Sequence, residues 1–335
     1  MKIAVTGAAG FIGKRVVLLA RAAGHEVVAI VRPAHDASEL EAVGASIARA
    51  DLGERGPESG ASPLDGVLAG VDAIVHAAAR VGWASGAVFQ RDTVDATREV
   101  VAAASRAGVP RLVHVSSTAV YGDRAVERGP VTEDAPYGHK VGPWDRYALA
   151  KIEAEKVALA AAGHGIATVV VVRPGWVVGE GASSTASLVG LMGAPLYPLF
   201  GTGRNRLPVT YLDSVADACL RASSVSVDGP SRVYQIACDW SVSQRRFLEE
   251  LGRGAGAKPR FLPVPFLVFF LGGWFLEAIA QLVPGFDPPL SRNVAVLMGR
   301  DADFPTTRAR EELGWAPALP MEEAARRIGR SHATG

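Results

Sequence analysis

The chain has 335 residues, 49% of them hydrophobic, which is enough to bury a large core and predicts one large α/β unit carrying a smaller lobe. Its 35 Lys and Arg residues against 34 Asp and Glu residues leave no excess charge to hold a polyphosphate backbone, which argues against nucleic acid as a partner. Neither cysteine, Cys219 or Cys238, lies in a CxxC or His-rich metal spacing, so we expect no metal, no disulfide framework and a reducing, cytoplasmic setting.

The first half of the chain alternates short β-rich runs with helical patterns. Helices are predicted over residues 11–23, near residues 38–43 and over residues 88–107. The β-rich runs are residues 2–7 (KIAVTG), 25–31 (HEVVAIV), 45–52 (ASIARADL), 71–78 (VDAIVHAA), 111–117 (RLVHVSS) and 167–174 (ATVVVVRP). Because these runs lack the polar alternation of a half-exposed strand, they predict a doubly wound parallel sheet with helices on both faces, the Rossmann architecture.

Beyond Pro174 the alternation gives way to Gly- and Pro-rich pieces, scattered helices and one clear strand, RVYQIA at residues 232–237. Ligands bind beyond the carboxyl ends of parallel strands, so the chain after the last crossover is where a substrate lobe would grow. We therefore predict a dinucleotide-binding domain over residues 1–175 and a smaller, mostly helical substrate lobe over residues 176–335, interleaved in one compact unit.

A glycine-rich turn, TGAAGFIG at residues 6–13, lies between the first strand and the first helix. Its glycines, Gly7, Gly10 and Gly13, have the spacing GxxGxxG. A turn free of Cβ atoms lets the backbone approach a pyrophosphate, and the helix start at Phe11 and Ile12 supplies free N–H groups and the positive end of the helix dipole. These five residues are predicted to bind a dinucleotide, and the alternative is a turn without a ligand.

The end of the second strand bears on the choice of dinucleotide. NAD-binding proteins normally have an acidic residue there for the ribose hydroxyls, whereas this chain has Val31 followed by Arg32. A guanidinium suits a 2′-phosphate, so we expect NADP(H) to be preferred, with NAD(H) as the alternative cofactor. Arg32 would otherwise be a solvated loop arginine. Asp51 and Leu52, after the third strand, are expected to lie at the adenine, unless Asp51 only caps the next turn.

Tyr147 and Lys151 in DRYALAK are the main catalytic candidates. A spacing of four residues puts both side chains on one helix face, where the ammonium would lower the phenol pKa from about 10 toward working pH. Ser117 follows the strand RLVHV, at the sheet edge where its hydroxyl could hold a substrate oxygen while Tyr147 transfers the proton. Lys151 is also expected to bind the nicotinamide ribose. The alternative is that Tyr147 and Lys151 lie on an exposed helix with no catalytic role.

The order of these motifs resembles the extended short-chain dehydrogenases/reductases over nearly the whole chain. The matching segments are residues 6–13 (TGAAGFIG), 76–79 (HAAA), 116–122 (SSTAVYG), 147–151 (YALAK), 172–181 (VRPGWVVGEG), 209–218 (VTYLDSVADA) and 306–317 (TTRAREELGWAP). PPLSR at residues 288–292 and the apolar helix before it resemble the branch that contains 3β-hydroxysteroid dehydrogenases, sterol-4α-carboxylate 3-dehydrogenases and 2-alkyl-3-oxoalkanoate reductases.

The resemblance implies the same three catalytic residues and further cofactor contacts. Ala77 and Ala78 would line the nicotinamide ribose, and Pro174 with Gly175 would lie against the nicotinamide. The family often has Asn in the helix before the catalytic strand, where this chain has Thr93.

Several aromatic and basic residues have open roles. His76 and His114 are expected to be core residues. Arg204 and Arg206 would either meet an anionic substrate group or stay solvated. Three tryptophans lie on segments whose family counterparts border the substrate, and they are expected to line the pocket or to pack: Trp83, Trp144 and Trp176.

Residues 261–283 are strongly apolar and contain an 11-residue uncharged run from Phe266 to Leu276. Pro263, Pro265 and Glu277 confine the helical part to less than the ~20 residues that span a bilayer, so we do not expect a spanning helix. Three interpretations stay open: a buried helix of the second lobe, a wall for an apolar substrate, and a peripheral membrane contact.

Together these features predict an NADP(H)-preferring oxidoreductase that interconverts a secondary alcohol and a ketone on an apolar substrate of sterol, steroid or 3-oxoacyl type, with Tyr147 as acid/base. One alternative is a nucleotide-sugar epimerase or dehydratase of the same superfamily, against which the apolar residues 261–283 count. Another is a non-catalytic dinucleotide sensor, against which the intact Tyr147 and Lys151 pair counts. A homodimer through helices of the first half, common in the superfamily, is a further option.

Overall fold

The computed structural model describes residues 1–54, 62–123, 129–138, 141–237, 242–283 and 285–333. Its strands, numbered along the chain, are β1 (Lys2–Thr6), β2 (Glu26–Val31), β3 (Ser46–Arg49), β4 (Ala73–His76), β5 (Arg111–Val115), β6 (Thr168–Pro174), β7 (Trp176–Val178), β8 (Tyr197–Phe200), β9 (Val209–Tyr211), β10 (Ser231–Ile236) and β11 (Phe261–Val264). Seven of these described strands form one parallel sheet in the order β3-β2-β1-β4-β5-β6-β10. The order reverses between β1 and β4, which confirms the predicted doubly wound Rossmann sheet.

The helices flank this sheet and build most of the second lobe. They are α1 (Phe11–Ala22), α2 (Ser38–Ala42), α3 (Gly86–Phe89), α4 (Ala96–Arg106), α5 (Arg146–Ala160), α6 (Ser183–Gly190), α7 (Leu212–Ala222), α8 (Gln244–Gly254), α9 (Phe266–Leu282), α10 (Arg292–Gly299), α11 (Thr307–Leu313) and α12 (Met321–Ala333). A π-helical turn, Gln90–Asp95, joins α3 to α4, so the predicted Ala-rich helix is continuous but irregular.

The central strands are buried on both faces. In β1, Ile3 and Val5 lie in the core shared with α1, α7 and α11, whereas Ala4 faces the layer that contains α4. Strands covered on both sides need apolar residues at every position, which explains the unbroken Val and Ile runs. Near the end of the chain, the Trp315 indole donates a hydrogen bond to the Ser214 carbonyl at 2.8 Å, which ties the tail to α7.

The second lobe has its own apolar core. Within it α8 packs on α12 and α9 on α10, and two short parallel pairs form, β7 with β9 and β8 with β11. The strand β10, however, lies after residue 175 in the chain and pairs with β6 in the main sheet. Sheet and lobe are therefore interleaved along the chain, and the division at residue 175 stays a prediction.

The helix α9 lies at the surface of this lobe. Gly273 and Glu277 are buried on its inner side, next to α10. On its outer side Leu267, Trp274 and Phe275 are more than half exposed. The interpretation of residues 261–283 as a buried helix is therefore wrong for the outer side. Within the described part of the chain, no helix is both long and apolar enough to cross a membrane.

Candidate active site

The glycine turn lies at the carboxyl end of β1, beside the point where the strand order reverses. Gly7 has a φ of +64°, a left-handed conformation that favours glycine. A Cβ at Gly7 would lie 2.8 Å from the Cα of Ala78, which follows β4. A Cβ at Gly13 would overlap the carbonyl oxygen of Gly7. Both positions therefore need glycine for α1 and β4 to approach the turn this closely.

This turn fits a dinucleotide pyrophosphate. The helix α1 begins at Phe11, so the N–H groups of its first turn have no acceptor within the helix, and no acidic side chain lies in that turn to compete with an anion. The Gly10 N–H donates to the Gly7 carbonyl at 2.8 Å and closes the loop beneath the helix start. The structure thus brings Gly7, Gly10, Phe11, Ile12 and Gly13 together, and their contact with a cofactor stays a prediction.

Asp51 and Leu52 lie just beyond the end of β3. Oδ1 of Asp51 accepts the N–H of Gly53 at 3.0 Å, so capping a turn, one of its two predicted roles, is what this carboxylate does. Leu52 is buried in the core layer of α4. The adenine contact predicted for both residues stays a prediction.

Arg32 directly follows β2, with 42% of its side chain exposed. Its guanidinium lies 2.9 Å from Oδ2 of Asp92, and Arg91 contacts Oδ1 of the same carboxylate at 2.7 Å. Burial opposes ionisation of Asp92, but hydrogen bonds from Arg91 and Arg32 lower the pKa of Asp92. This cluster was not predicted, because Arg32 follows β2 whereas Arg91 and Asp92 lie in the π-helical turn, and only the fold brings them together. The same turn contains Thr93, whose Oγ1 accepts the N–H of Arg80 at 3.0 Å.

The residues predicted to lie against the nicotinamide end β6. Pro174 is the last residue of that strand, and the Gly175 N–H donates to the Ile236 carbonyl of β10 at 3.1 Å. A Cβ at Gly175 would overlap the Pro208 carbonyl oxygen. Glycine is needed here because β6 and the chain leading into β9 come into direct contact.

Ser117, Tyr147 and Lys151 meet beyond the carboxyl end of β5. The helix α5 packs on the turn that begins at Ser117, so that the Ser117 hydroxyl acts on the Tyr147 phenol, and Ser117 Oγ accepts the N–H of Ala119 at 3.1 Å. Lys151 lies one turn further along α5, and its Nζ donates to the Val115 carbonyl at 2.9 Å. The structure therefore brings the three predicted catalytic side chains together at the edge where a doubly wound sheet binds ligands.

The start of α5 holds Tyr147 in place. Asp145 caps the helix, since its Oδ1 accepts the N–H of Ala148 at 3.0 Å. Its Oδ2 accepts the side-chain amide of Asn293 in α10 at 2.9 Å. Burial raises the pKa of Asp145, although these hydrogen bonds oppose the increase. The second lobe thus contacts α5 at its first turn, the turn that contains Tyr147.

The electrostatics of Tyr147 differ from the sequence prediction. Burial raises the pKa of Tyr147, the hydrogen bond with Ser117 opposes this increase, and the charge of Asp145 adds to it. Burial lowers the pKa of Lys151 to about 8, and the charge of Glu155 opposes that shift. The predicted lowering of the Tyr147 pKa by Lys151 is therefore wrong for this arrangement, because burial dominates and the amine is directed to a backbone carbonyl.

A buried ion pair lies behind Lys151. Nε of Arg173 in β6 lies 3.2 and 3.1 Å from the two carboxylate oxygens of Glu155 in α5. Ser116 Oγ donates to Oε2 of Glu155 at 2.5 Å, and the Tyr137 hydroxyl donates to Oε1 at 2.7 Å. This network was not predicted. The sequence did contain one signal for it: Glu155 lies four residues after Lys151 and therefore on the same face of α5.

The two histidines of the sheet are core residues. His76 Nδ1 lies 2.7 Å from Thr6 Oγ1, and its Nε2 lies 2.9 Å from Thr97 Oγ1. Burial lowers the pKa of His76 to about 3, and the charge of Lys151 contributes to the shift. His114, its partner on β5, is also buried, and burial lowers its pKa well below the ordinary value. Neither imidazole is charged at neutral pH, in agreement with the core role expected of them.

Aromatic rings flank the start of α5. Trp144 packs edge to face on Phe270 of α9, with ring centroids 5.8 Å apart, and the Arg292 guanidinium lies 4.6 Å from the Trp144 ring. Trp83 lies 5.8 Å from the guanidinium of Arg146, the first residue of α5. Trp144 is therefore close to Tyr147 in the chain, and Trp83 lies beside the residue that precedes Tyr147. Contact of either ring with substrate stays a prediction.

The remaining candidates lie deeper in the second lobe. Trp176 packs edge to face on Phe247 and donates from Nε1 to Ser184 Oγ at 3.3 Å. Arg206 is 35% exposed and pairs with Asp301 at 2.5 Å, so both roles considered for it stay predictions. Arg204 is exposed in the same loop.

The residues that the structure describes offer neither a cluster of metal ligands nor a reactive thiol. In the described ranges, no cluster of three or more His, Cys, Asp or Glu side chains could hold a metal ion. Cys219 is buried, and burial raises the pKa of its thiol to about 12, so it is inert. Cys238 lies outside the described residues.

The chain is similar to several known proteins over most of its length. The model of the NAD dependent epimerase/dehydratase family matches residues 3–237. A 4-hydroxy-2-methyl-3-oxo-4-farnesyl-3,4-dihydroquinoline-1-oxide ketoreductase of Stigmatella aurantiaca is 32% identical over 326 residues, covering 96% of this chain and 94% of that protein. A 2-alkyl-3-oxoalkanoate reductase of Stenotrophomonas maltophilia is 29% identical over 341 residues, covering 99% and 100%. The solved structure of MoeE5 in complex with UDP-glucuronic acid and NAD has a TM-score of 0.72 at 25% identity, covering 99% and 98%.

The chain belongs to the NAD dependent epimerase/dehydratase family, the extended short-chain dehydrogenases/reductases. It is an NAD(P)-dependent oxidoreductase of that family. The predicted resemblance to the branch containing 2-alkyl-3-oxoalkanoate reductases is confirmed.

Proposed function

We propose that this enzyme interconverts a ketone and a secondary alcohol on an apolar substrate of 3-oxoacyl or sterol type, and that it prefers NADP(H) to NAD(H). The observation that carries the proposal is that α5, which holds Tyr147 and Lys151 one helical turn apart, packs on the turn that Ser117 begins beyond β5. A ketone oxygen placed at these two hydroxyls receives a hydrogen bond from Ser117 and a proton from Tyr147.

The charges around the phenol suit this proton transfer. When bound, the nicotinamide supplies or accepts the hydride. The raised pKa of Tyr147 keeps the phenol protonated, so it enters reduction as an acid. With a pKa of about 8, Lys151 is mainly protonated at neutral pH. Its charge does not lower the Tyr147 pKa in the present arrangement, and we propose that it stabilises the tyrosinate once substrate and dinucleotide are bound. The carboxylate of Glu155 favours the protonated amine, and the Val115 carbonyl fixes its position.

The preference for NADP(H) rests on the charge after β2. Arg32 and Arg91 share the single carboxylate of Asp92, which leaves one positive charge in excess within this cluster. A 2′-phosphate matches that excess and the partly exposed guanidinium of Arg32. Ribose hydroxyls would find no carboxylate at Val31 to accept their hydrogen bonds.

The apolar substrate is supported by the aromatic contacts near Tyr147 and by the relatives. Trp144, in the segment before α5, and Phe270, in α9, place two aromatic rings there. Both curated relatives are named as reductases of oxo compounds, one with a farnesyl group and the other with an alkyl chain. A substrate with a hydrocarbon chain beside its ketone would suit these rings.

A second candidate function is a nucleotide-sugar epimerase or dehydratase. The fold shared with MoeE5, whose complex contains UDP-glucuronic acid, favours it. A diphosphate needs cations, and Arg204 is exposed in the second lobe. Arg206 is less available, because Asp301 and Asp303 already hold its guanidinium.

Oxidation of NADPH and NADH, followed by absorbance, separates the two candidates. The panel should contain 2-alkyl-3-oxoalkanoates, 3-oxosteroids, UDP-glucose and UDP-glucuronic acid. We expect ketone-dependent oxidation of NADPH and a Tyr147→Phe variant slower by about 10²- to 10⁴-fold. Tyr234→Phe, which removes a hydroxyl bonded to Glu312 at the sheet border, should keep the wild-type rate. Conversion of a UDP-sugar without reduction of any ketone, or an undiminished rate in Tyr147→Phe, would refute the proposal.

A further inference from the structure

The outer side of α9 is a continuous apolar stripe. Its exposed side chains recur at spacings of three, four and seven residues, which puts them on one face of the helix. Leu267 is 61% exposed, Phe275 59% and Leu282 82%. We define the α9 face by its exposed members, which are Leu267, Val268, Leu271, Trp274, Phe275 and Leu282.

Packing fixes which side of α9 faces outward. Glu277 is buried on the inner side, where its Oε2 lies 2.6 Å from the Arg292 guanidinium and its Oε1 accepts the Arg292 N–H at 2.7 Å. A Cβ at Gly273 would lie 2.7 Å from the carbonyl carbon of Ser291, so α10 meets the helix backbone there. A rotation that buried the α9 face would expose this ion pair and break the contact. The apolar side is therefore outward because of specific inner contacts.

Cations border the start of this helix. Lys258 and Arg260 are exposed and lead into β11, which ends just before α9. The Arg245 guanidinium lies 4.9 Å from the ring of Phe261 in β11. The exposed Arg204 follows β8, the strand that pairs with β11. No acidic residue occurs over residues 258–276. The α9 face thus has a positive border at one end and no charge along its length up to Glu277.

We propose that the α9 face docks the enzyme on an anionic lipid bilayer. Leucine and aromatic side chains enter the boundary between headgroups and acyl chains, and neighbouring Lys and Arg side chains meet the lipid phosphates. The buried Glu277 pair keeps the inner side on the protein, so the helix lies along the surface. A second copy of this chain fits less well, because a two-fold contact centred on Leu267 and Val268 would bring both sets of cations together.

Docking would place the candidate active site next to the bilayer, which matters if the enzyme has the proposed function and its substrate is apolar. The inner ring of Phe270 contacts Trp144, three residues before Tyr147 in the sequence. The helix therefore lies between the bilayer and the aromatic contacts of the site. An apolar substrate could pass from lipid to Tyr147 without crossing bulk water.

Vesicle sedimentation of the purified full-length protein tests the docking. Vesicles of phosphatidylglycerol mixed with phosphatidylcholine are compared with vesicles of phosphatidylcholine alone. We expect the protein to pellet with the anionic vesicles, and Leu271→Glu/Phe275→Glu to lower its partition coefficient by at least about ten-fold. Lys258→Glu/Arg260→Glu should lower it by at least about five-fold on the anionic vesicles only. Each of these outcomes supports the proposal.

A matched control adds the same charge elsewhere. Ala22 and Ala102 are exposed alanines on α1 and α4, which cover opposite faces of the sheet, so Ala22→Glu/Ala102→Glu should bind vesicles like the wild type. Thermal unfolding of Leu271→Glu/Phe275→Glu should match the wild type, because both side chains are exposed. No pelleting of the wild type, or equal pelleting of all variants, would overturn the proposal.

Sedimentation velocity without lipid tests the rival occupant. A dimer that Leu271→Glu/Phe275→Glu dissociates, in a protein that does not pellet with vesicles, would assign the α9 face to a second copy of the chain and overturn the proposal. Vesicle binding is measured without substrate, so failure of ketone reduction would leave a positive docking result intact.

Discussion

Glu155 and Arg173 form a buried ion pair one helical turn behind Lys151, with side chains 0% and 4% exposed. Glu155 accepts hydrogen bonds from Arg173, Ser116 and Tyr137. Ser116 directly precedes Ser117, and Glu155 lies on α5 with Tyr147 and Lys151. One carboxylate therefore joins β5, β6 and α5 at the point where Ser117, Tyr147 and Lys151 must stay aligned.

Glu155→Gln should both weaken the fold and shift the pH dependence of activity. Leaving Arg173 unpaired in the interior costs about 3–5 kcal/mol of unfolding free energy. The charge of Glu155 supports protonation of Lys151, so its loss should move the alkaline decline of ketone reduction below pH 8. Urea unfolding and pH profiles of kcat/KM measure the two effects. Glu153→Gln, at an exposed position of the same helix, should change neither, and a destabilised variant with an unchanged profile would limit Glu155 to a structural role.

Lys151 sets a pH limit on reduction. Its pKa is lowered to about 8, so the protonated amine, and with it the rate of ketone reduction, should decline as the pH rises through that value. Lys151→Arg keeps its charge to higher pH, so its decline should begin at higher pH even if its maximal rate is lower. Profiles of kcat for both proteins test this expectation. An identical alkaline decline in both would assign the limit to another group.

Burial of Lys151 should also make the free energy of unfolding rise with pH. The folded pKa of Lys151, about 8, is below its ordinary value of 10.5, so burying the charged amine destabilises the fold at lower pH and ceases to do so as the pH rises through this window. Lys151→Met should therefore gain most stability relative to the wild type below pH 8. The gain should shrink toward pH 10.5, as urea unfolding at several pH values would show. A constant difference would contradict the assignment.

Gly13→Ala should damage the cofactor turn. The new Cβ overlaps the Gly7 carbonyl, so we expect a loss of about 1–3 kcal/mol in unfolding free energy and weaker dinucleotide binding. Gly86→Ala is the matched control, because nothing lies within 4 Å of its added Cβ and it begins the helix α3. Calorimetric titration with NADPH compares the two variants. Equal affinities would mean that the turn does not hold the dinucleotide.

Arg32→Ala should change the cofactor preference. If its guanidinium binds the 2′-phosphate, KM for NADPH should rise by about ten- to a hundred-fold while KM for NADH changes little. Arg98→Ala, which removes an exposed arginine from α4, should leave both values unchanged. A parallel rise of both values in Arg32→Ala would instead indicate that freeing the buried Asp92 carboxylate disturbs the whole site.

The sheet and the meeting of Ser117, Tyr147 and Lys151 could be predicted because their signals are local. The Val and Ile runs of β1 to β6, the glycine spacing and the Tyr147 to Lys151 interval are all short patterns whose physical meaning does not depend on distant residues. The Asp92 cluster and the Glu155–Arg173 pair could not be predicted in this way. Arg32 follows β2 whereas Asp92 lies in the π-helical turn, and Glu155 and Arg173 are 18 residues apart, so neither pair falls within a helical or strand repeat. No local pattern tells a buried carboxylate from an exposed one.

The pKa of Tyr147 and the place of α9 were also beyond the sequence. Helical spacing put Lys151 beside the phenol, but burial and the Val115 carbonyl decide where the amine points and which way both pKa values move. Likewise, apolar composition suggested that α9 could be buried. Its outer face is exposed because Glu277 and Gly273 direct the opposite face toward α10. Dimerisation stays a prediction.

The border strand β10 reaches the main sheet only after the polypeptide has already passed through the second lobe. A gene fragment ending at residue 175 would lack that strand and leave the hydrogen-bonding edge of β6 open. Four consecutive valines, Val169 to Val172, would then lie along an unprotected edge, the type of template on which polypeptides aggregate. A fragment of residues 1–175 should therefore aggregate instead of folding as a stable domain. The sheet is complete only after β10 has been synthesised, well beyond α5.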